Sequence, residues 1–182
     1  MSGSSRGPND PGRRDRIVEA ALDVIAEHGV TGATHRRIAE AAGVSLGSMT
    51  YYFEGRQQLL VEAFTRLAES MSARCREPLE AAETVEEARA AVVEIICGTL
   101  RSSPRELVLS YELYAFASRN PALLDVIRSW TKAGRTSLSR HFDARTARAL
   151  DALVEGLSIH NSMDTEPMSR QDVAAIVRAV SG

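Results

Sequence analysis

Between Ser45 and Phe53 the chain reads S-L-G-S-M-T-Y-Y-F, which places five hydroxyl-bearing side chains within nine residues. Wound as a helix, Leu46, Met49 and Phe53 fall on one side and pack, while Gly47, Ser48, Tyr51 and Tyr52 look outward. Hydroxyls and ring edges held in such a row hydrogen-bond to phosphate oxygens and base edges and touch thymine methyls. Gly47 costs about 1 kcal/mol in a helix interior relative to alanine. That cost fits a backbone that must come close to another surface.

The elements around this stretch set its geometry. Thr34 caps a brief helix carrying Ile38, Ala39 and Ala42 that ends at Gly43, and Ser45 caps the next, which ends near Phe53. The bend A-G-V-S joins them, which is the spacing of a helix-turn-helix. Helix N-termini at Thr34, Ser45 and Gly55 bring free amides and partial positive charge toward one face. His35, Arg36, Arg37 and Arg56 add to that charge, and Glu40 and Glu54 partly offset it. Taken singly, Tyr51 and Tyr52 fit a contact surface between domains equally well, and Thr34 and Ser45 need be no more than helix caps. Taken with the bend, the set points to contact with double-stranded DNA.

The rest of the chain bounds what these residues can belong to. It has 182 residues, 44% of them hydrophobic and 25% charged, which is ordinary globular composition. No apolar run approaches the roughly 20 residues that cross a bilayer, and the start is not that of a secreted chain, so a cytoplasmic protein without membrane contact is expected. Cys75 and Cys97 lack metal or disulfide spacing and read as reduced and buried. The net charge of −2 gives no support to nonspecific DNA binding, so any evidence for nucleic acid must be local. Lys132 is the only lysine among 22 basic residues, a skew with no functional weight.

Helical periodicity runs almost throughout. After a Gly-, Ser- and Pro-rich tail over residues 1–12, a first helix is expected from Arg13 to His28, stopped by Gly29, and a fourth from Arg56 to about Arg74. Thr84 with Glu87, and Ser103 with Glu106, read as capping boxes. Asn120 before Pro121, Asp143 and Ser169 open three more helices. Glu106 to Phe116 fits a period of 3.6 better than 2. The fold class is therefore all-α: about nine helices, with an N-terminal three-helix DNA-binding domain that carries the helix-turn-helix over 13–60 and a larger helical domain over 61–182. No nucleophile and base pair, metal spacing or phosphate loop stands out, so no catalytic residue, metal or cofactor is expected.

The run R-D-R-I-V-E-A-A-L through E-H-G, T-H-R-R-I-A, A-G-V-S-x-G, Y-Y-F and G-R-Q-Q-L, covering about residues 13 to 60, resembles the DNA-binding domain of the tetracycline-repressor (TetR) family of bacterial transcription regulators. The resemblance implies that Thr34, Arg36, Ser45, Gly47, Ser48, Thr50, Tyr51, Tyr52 and Arg56 lie at or near the DNA. Thr50 stands where such proteins usually have tyrosine, Tyr52 where they often have histidine, and Arg56 where they usually have lysine. Either cation suits a phosphate.

The resemblance also implies that the remaining helices bind a small-molecule inducer and pair two subunits into a homodimer on a palindromic operator. Candidate ligand contacts are Met71, Tyr111, Glu112, Tyr114, Phe116, Trp130, His160 and Asn161, a mostly apolar set with a few polar groups; an ordinary helical core would look the same. Leu150, Leu153, Val154 and Leu157, with Val173, Ile176, Val177 and Val180, form apolar stripes on the last two helices. They suit a four-helix packing between subunits or closure of the chain's own core. Arg6, Arg13, Arg14 and Arg16 either reach an adjacent minor groove or stay solvated.

Overall fold

The computed structural model describes residues 10–97 and 103–182. Among them are nine helices and no strand: α1 (Arg13–Gly32), α2 (His35–Ala41), α3 (Leu46–Tyr52), α4 (Arg56–Ala81), α5 (Val85–Cys97), α6 (Pro104–Ala117), α7 (Pro121–Leu138), α8 (Ala144–Met163) and α9 (Arg170–Ser181). Arg6 and most of the tail lie outside the described residues. No helix among those described is long and apolar enough to cross a membrane.

The helix starts follow the side-chain chemistry. Thr34, Ser45, Asp143 and Ser169 each accept a backbone amide of the first turn. The two capping boxes form: Glu87 and Thr84 exchange bonds of 3.2 Å, and Glu106 accepts Ser103 N at 2.9 Å while Ser103 Oγ accepts Glu106 N at 3.2 Å. The carboxylates of Glu87 and Asp143 are held below their usual range chiefly by such backbone amides.

Two helices end differently from expectation. Gly29 interrupts α1 where the sequence places its stop, with φ 68° and ψ 167°, a conformation essentially confined to glycine, but one further turn follows to Gly32. α4 does not end near Arg74 but runs through Pro78 to Ala81. The burial of Leu79 (2% exposed) outweighs the hydrogen bond that Pro78 removes, and His141 Nε2 meets the Leu79 carbonyl at 2.8 Å.

The chain divides into two compact units: one formed by residues through Arg66 with Val108–Leu123, the other by Leu67–Leu107 with Leu124–Gly182. The first unit is thus larger than the 13–60 segment, since it includes most of α6. Its interior holds Ile17, Ile25, Ile38, Met49, Phe53, Leu59, Leu60, Phe64, Leu109 and Leu113, each nearly inaccessible. The second unit is centred on a cluster that includes Val92, Ile96, Leu138, Phe142, Leu150, Val173 and Val177.

Leu150, Val173 and Val177 were expected at a subunit interface, and this is corrected. All three are 0% exposed within the chain's own core, because α8 and α9 pack on α5. Leu153, Val154, Leu157 and Val180 pack against that core but remain half-buried, as does Ile176. The stripe is therefore divided, with only its outer part left for another chain.

Candidate nucleic-acid interface

Position in α3 is fixed from three sides. Ser45 Oγ accepts Ser48 N at 3.2 Å, which fixes the start, and Met49 (0% exposed) and Phe53 (2%) anchor the inner face. Arg14 closes the end: its Nη1 donates to the Tyr52 carbonyl at 3.4 Å, its Nε and Nη2 grip Glu62 at 3.0 and 2.5 Å, and its guanidinium stacks 4.9 Å from the Phe53 ring centroid. The hydrogen bonds that Arg14 donates to the Glu62 carboxylate hold its cation above its usual range. Arg16 is likewise paired, with Asp10 at 2.6 Å. Neither guanidinium is left as a loose arm for a minor groove.

The bend before α3 is a Schellman closure. Gly43 has φ 63°, its amide donates to Glu40 O at 3.1 Å, and Val44 N donates to Ala39 O at 2.9 Å. This turns the chain sharply enough for α2 to brace α3.

The outward side chains are not equivalent. Tyr51 is 80% exposed, and its ring stands edge-on to Tyr52 at a centroid distance of 4.9 Å and an interplanar angle of 88°. Tyr52 is half-buried and steadies Tyr51. A methyl group added at Gly47 would meet nothing nearer than Ser45 Oγ at 3.8 Å, so this turn of α3 offers a low, open backbone. Thr50 is exposed, but its hydroxyl donates to Gly47 O at 3.0 Å, which leaves its methyl and lone pairs outward. Ser48 is half-buried, with its Oγ 3.1 Å from Ser45 Oγ. Leu46 departs from expectation: it is 54% exposed rather than packed, because the first turn of this seven-residue helix projects beyond the core that Met49 and Phe53 reach.

In α2, Thr34 and Arg36 are exposed, whereas His35 is half-buried and its Nε2 is shielded without a hydrogen-bond partner. Arg37 Nη1 donates to Gly32 O at 3.1 Å. Arg56 is half-buried and turns its guanidinium to the backbone. Nε donates to Ala33 O at 3.0 Å and Nη2 donates to Val30 O, so it braces the α1–α2 turn before any phosphate is considered.

The candidate ligand residues differ in their surroundings. Met71 is buried at 9% exposure; Tyr111, Tyr114, Phe116 and Trp130 are half-buried; His160 is exposed. Asn161 Oδ1 accepts Met168 N at 3.1 Å, which fixes the α8–α9 loop. Glu112 is engaged elsewhere: its Oε2 accepts the Val30 amide at 2.7 Å. Open clefts of about 500 and 410 Å³ flank α7 and one of about 540 Å³ lies between α5 and α9. Their walls carry Arg128, Lys132, Arg140 and Arg89 rather than the aromatic candidates. Cys75 and Cys97 are half-buried rather than fully buried, and desolvation pushes the Cys75 thiol up to about 11, which makes it a poor nucleophile. Among the described residues no group of three or more His, Cys, Asp or Glu is placed to hold a metal.

Sequence reading places Glu112 among the ligand contacts rather than at the Val30 amide, and it does not find the reciprocal amide pair Gln57–Asn120, bonded at 2.9 Å in both directions. The only signal was the interruption of α1 at Gly29, which leaves an amide in need of an acceptor without saying which residue supplies it.

Comparison with known proteins agrees with this geometry. Residues 17–63 match the model of bacterial regulatory proteins of the tetR family, and residues 83–182 match a tetracyclin repressor-like C-terminal domain. The chain is 26% identical over 176 residues to the HTH-type transcriptional regulator PksA of Bacillus subtilis, covering 91% of this chain and 86% of that one. Among solved structures it is similar to SCO7518, a candidate transcriptional regulator from Streptomyces coelicolor A3(2), with 45% identity, TM-score 0.89 and coverage of 94% and 99%. It is also similar to the multidrug binding protein EbrR complexed with ethidium, with 28% identity, TM-score 0.79 and coverage of 93% and 99%. A helix-turn-helix whose second helix presents an exposed tyrosine, followed by a helical C-terminal region matched over residues 83–182, places this chain in the TetR family of DNA-binding transcriptional regulators.

Proposed function

We propose that the protein is a cytoplasmic repressor that binds a palindromic operator as a homodimer and is released from it by a small-molecule ligand. The observation that carries the DNA reading is the outward face of α3, where Tyr51 at 80% exposure stands on a helix otherwise anchored by buried Met49 and Phe53. A large ring held rigidly in solvent has no folding role and suits a groove. Thr34, Arg36, Ser45, Gly47, Ser48, Thr50, Tyr52 and His35 complete the proposed contact set. The inward-held His35 ring serves chiefly to seat α2.

Pairing follows from the reach of α3, because one such helix covers too few base pairs for a specific site and two related by a twofold axis read an inverted repeat. The half-buried Leu153, Val154, Leu157, Ile176 and Val180 supply the apolar surface for it.

Ligand release is supported by the likeness to EbrR, which was solved in complex with ethidium. The half-buried Tyr111, Tyr114, Phe116 and Trp130, with Met71, are apolar surface of the kind such ligands need. α4 belongs to both compact units, with its first turn at Arg56 and its later turns from Leu67 onward in the second. A ligand that prefers one orientation of α4 then changes the separation of the two recognition helices and so weakens operator binding.

The reading is tested by selection of bound DNA from a random pool. Enrichment of an inverted repeat is expected, and recovery of no motif counts against it. Arg56→Ala removes the brace on the Val30 and Ala33 carbonyls together with the N–H groups left over for a phosphate, so on the selected DNA it lowers affinity for all sequences and reduces the slope of log K against log salt by about one per recognition helix. In a thermal screen without DNA, a true ligand present at 100 times its Kd stabilises the fold by about 2.7 kcal/mol. A flat response across aromatic metabolites and dyes contradicts the inducer model.

A further inference from the structure

The break in α1 leaves the amide of Val30 without an acceptor inside its own helix, and the acceptor comes from a residue 82 positions away. Glu112 on α6 places Oε2 2.7 Å from Val30 N. The carboxylate sits directly over Gly29: a methyl group built there would lie 3.3 Å from Oε1 and 3.4 Å from Oε2. Gly29 therefore serves twice, by adopting φ 68° and by leaving room for the carboxylate.

Val30 is held from the other side as well, since Arg56 donates to its carbonyl and to that of Ala33, and Arg37 donates to Gly32 O. The Val30 amide and the carbonyls of Val30, Gly32 and Ala33 are thus bound by charged side chains, and the turn runs straight into Thr34, the cap of α2. A second tie repeats the link close by, where Asn120 exchanges two hydrogen bonds with Gln57 in the first turn of α4. All these residues lie within one compact unit.

We infer that Glu112 is a positioning residue for DNA recognition, acting through the Val30 amide to fix the turn from which α2 and α3 are hung. The inference rests on the DNA-binding reading of α3. It removes Glu112 from the set of ligand contacts and gives it a role at the other end of its helix's contacts. A neutral acceptor at this position keeps the bond; a side chain that cannot reach the amide frees the turn and blurs the aim of Tyr51.

The test compares the full-length parent with Glu112→Ala, Glu112→Gln and Glu112→Asp on DNA recovered by selection, together with hydrogen exchange at the Val30 amide. Glu112→Ala is expected to bind the selected site about tenfold more weakly, the equivalent of one charge-assisted bond. Its salt slope and nonspecific affinity stay unchanged, because no phosphate contact is lost. Glu112→Gln returns to within about twofold of the parent, because an amide oxygen still accepts. Val30 exchanges faster in Glu112→Ala than in the parent or Glu112→Gln. Should Glu112→Ala fail to fold, Glu112→Asp, which retracts the carboxylate by one methylene, is expected to show the same weakening. Parental affinity in both shortened variants, or a glutamine variant as weak as alanine, overturns the inference. A parent that binds no DNA removes the regulator reading itself, and the Val30 exchange rates then report separately whether the carboxylate holds the turn.

Discussion

Tyr51→Ala is expected to abolish specific operator binding while leaving the fold and the oligomer intact. The side chain is 80% exposed, so its removal takes little from the core and melting should shift by no more than an ordinary surface substitution does. A base-edge contact is worth about 1–3 kcal/mol. Two copies per operator make the loss roughly 2–6 kcal/mol, a weakening of between about 30-fold and 20,000-fold. Nonspecific binding, which depends on phosphate contacts, should change far less. Phenylalanine at the same position separates the ring from its hydroxyl: retention of specific binding assigns the contact to apolar or edge packing, and its loss assigns it to the oxygen. Parental affinity in Tyr51→Ala would remove α3 as the reading helix.

Gly156→Arg should split the assembly without harming the chain. Gly156 lies on α8 where an added side-chain carbon meets nothing within 4 Å, and its neighbours on that face, Ala149 and Ala152, are small and exposed. In the isolated chain the substitution gains helix propensity, somewhat less than the roughly 1 kcal/mol that separates glycine from alanine. If two copies of α8 approach along this face, a long charged side chain there prevents close packing and places like charges opposite each other across the twofold axis. The expected outcome is a monomer of undiminished thermal stability whose operator affinity falls by about 10²–10⁴, the gain that linking two half-site contacts provides. Equilibrium sedimentation at micromolar concentration decides it. A dimer unchanged by Gly156→Arg would move the interface away from this face.

The parts of the molecule legible in the sequence are those fixed by local chemistry. Thr34, Ser45, Thr84, Ser103, Asp143 and Ser169 announce helix starts because a short polar side chain satisfies an amide two or three residues ahead, and all six occupy that role. The glycine at 43 marks the bend for the same reason: its left-handed φ is a local demand. What depends on packing between distant segments was not legible. Periodicity puts Leu150, Val173 and Val177 on apolar faces, yet cannot say whether α5 or a second subunit covers them, and α5 does. Leu46 shares the wheel position of Met49 and Phe53 but sits one turn beyond the core. Glu112 looked like a polar group among aromatics, and only the path of α6 back to Gly29 reveals its acceptor role. Pro78 signals a helix end that the burial of Leu79 overrides.

For the proposed contact face, spacing groups the outward positions but does not grade them. Tyr51 and Tyr52 are adjacent in sequence and both fall on the outward side of a helical wheel, whereas one is solvent-borne and the other half-buried beside it. Arg56 and Arg14 read as free cations; the structure directs the first to two carbonyls and the second to Glu62 and Phe53. With these cations engaged in holding the turns, the affinity proposed here depends on helix N-termini and hydroxyls more than on net charge, in keeping with a chain of formal charge −2.

Hydroxyl-radical footprinting of the selected duplex with the parent protein and Tyr51→Ala tests the central claim most directly. Two protected segments on one face of the DNA, about one helical turn apart and related by twofold symmetry, are expected from the parent and absent with the variant. A single protected segment, or the same pattern from both proteins, would contradict a paired reading of the duplex by α3.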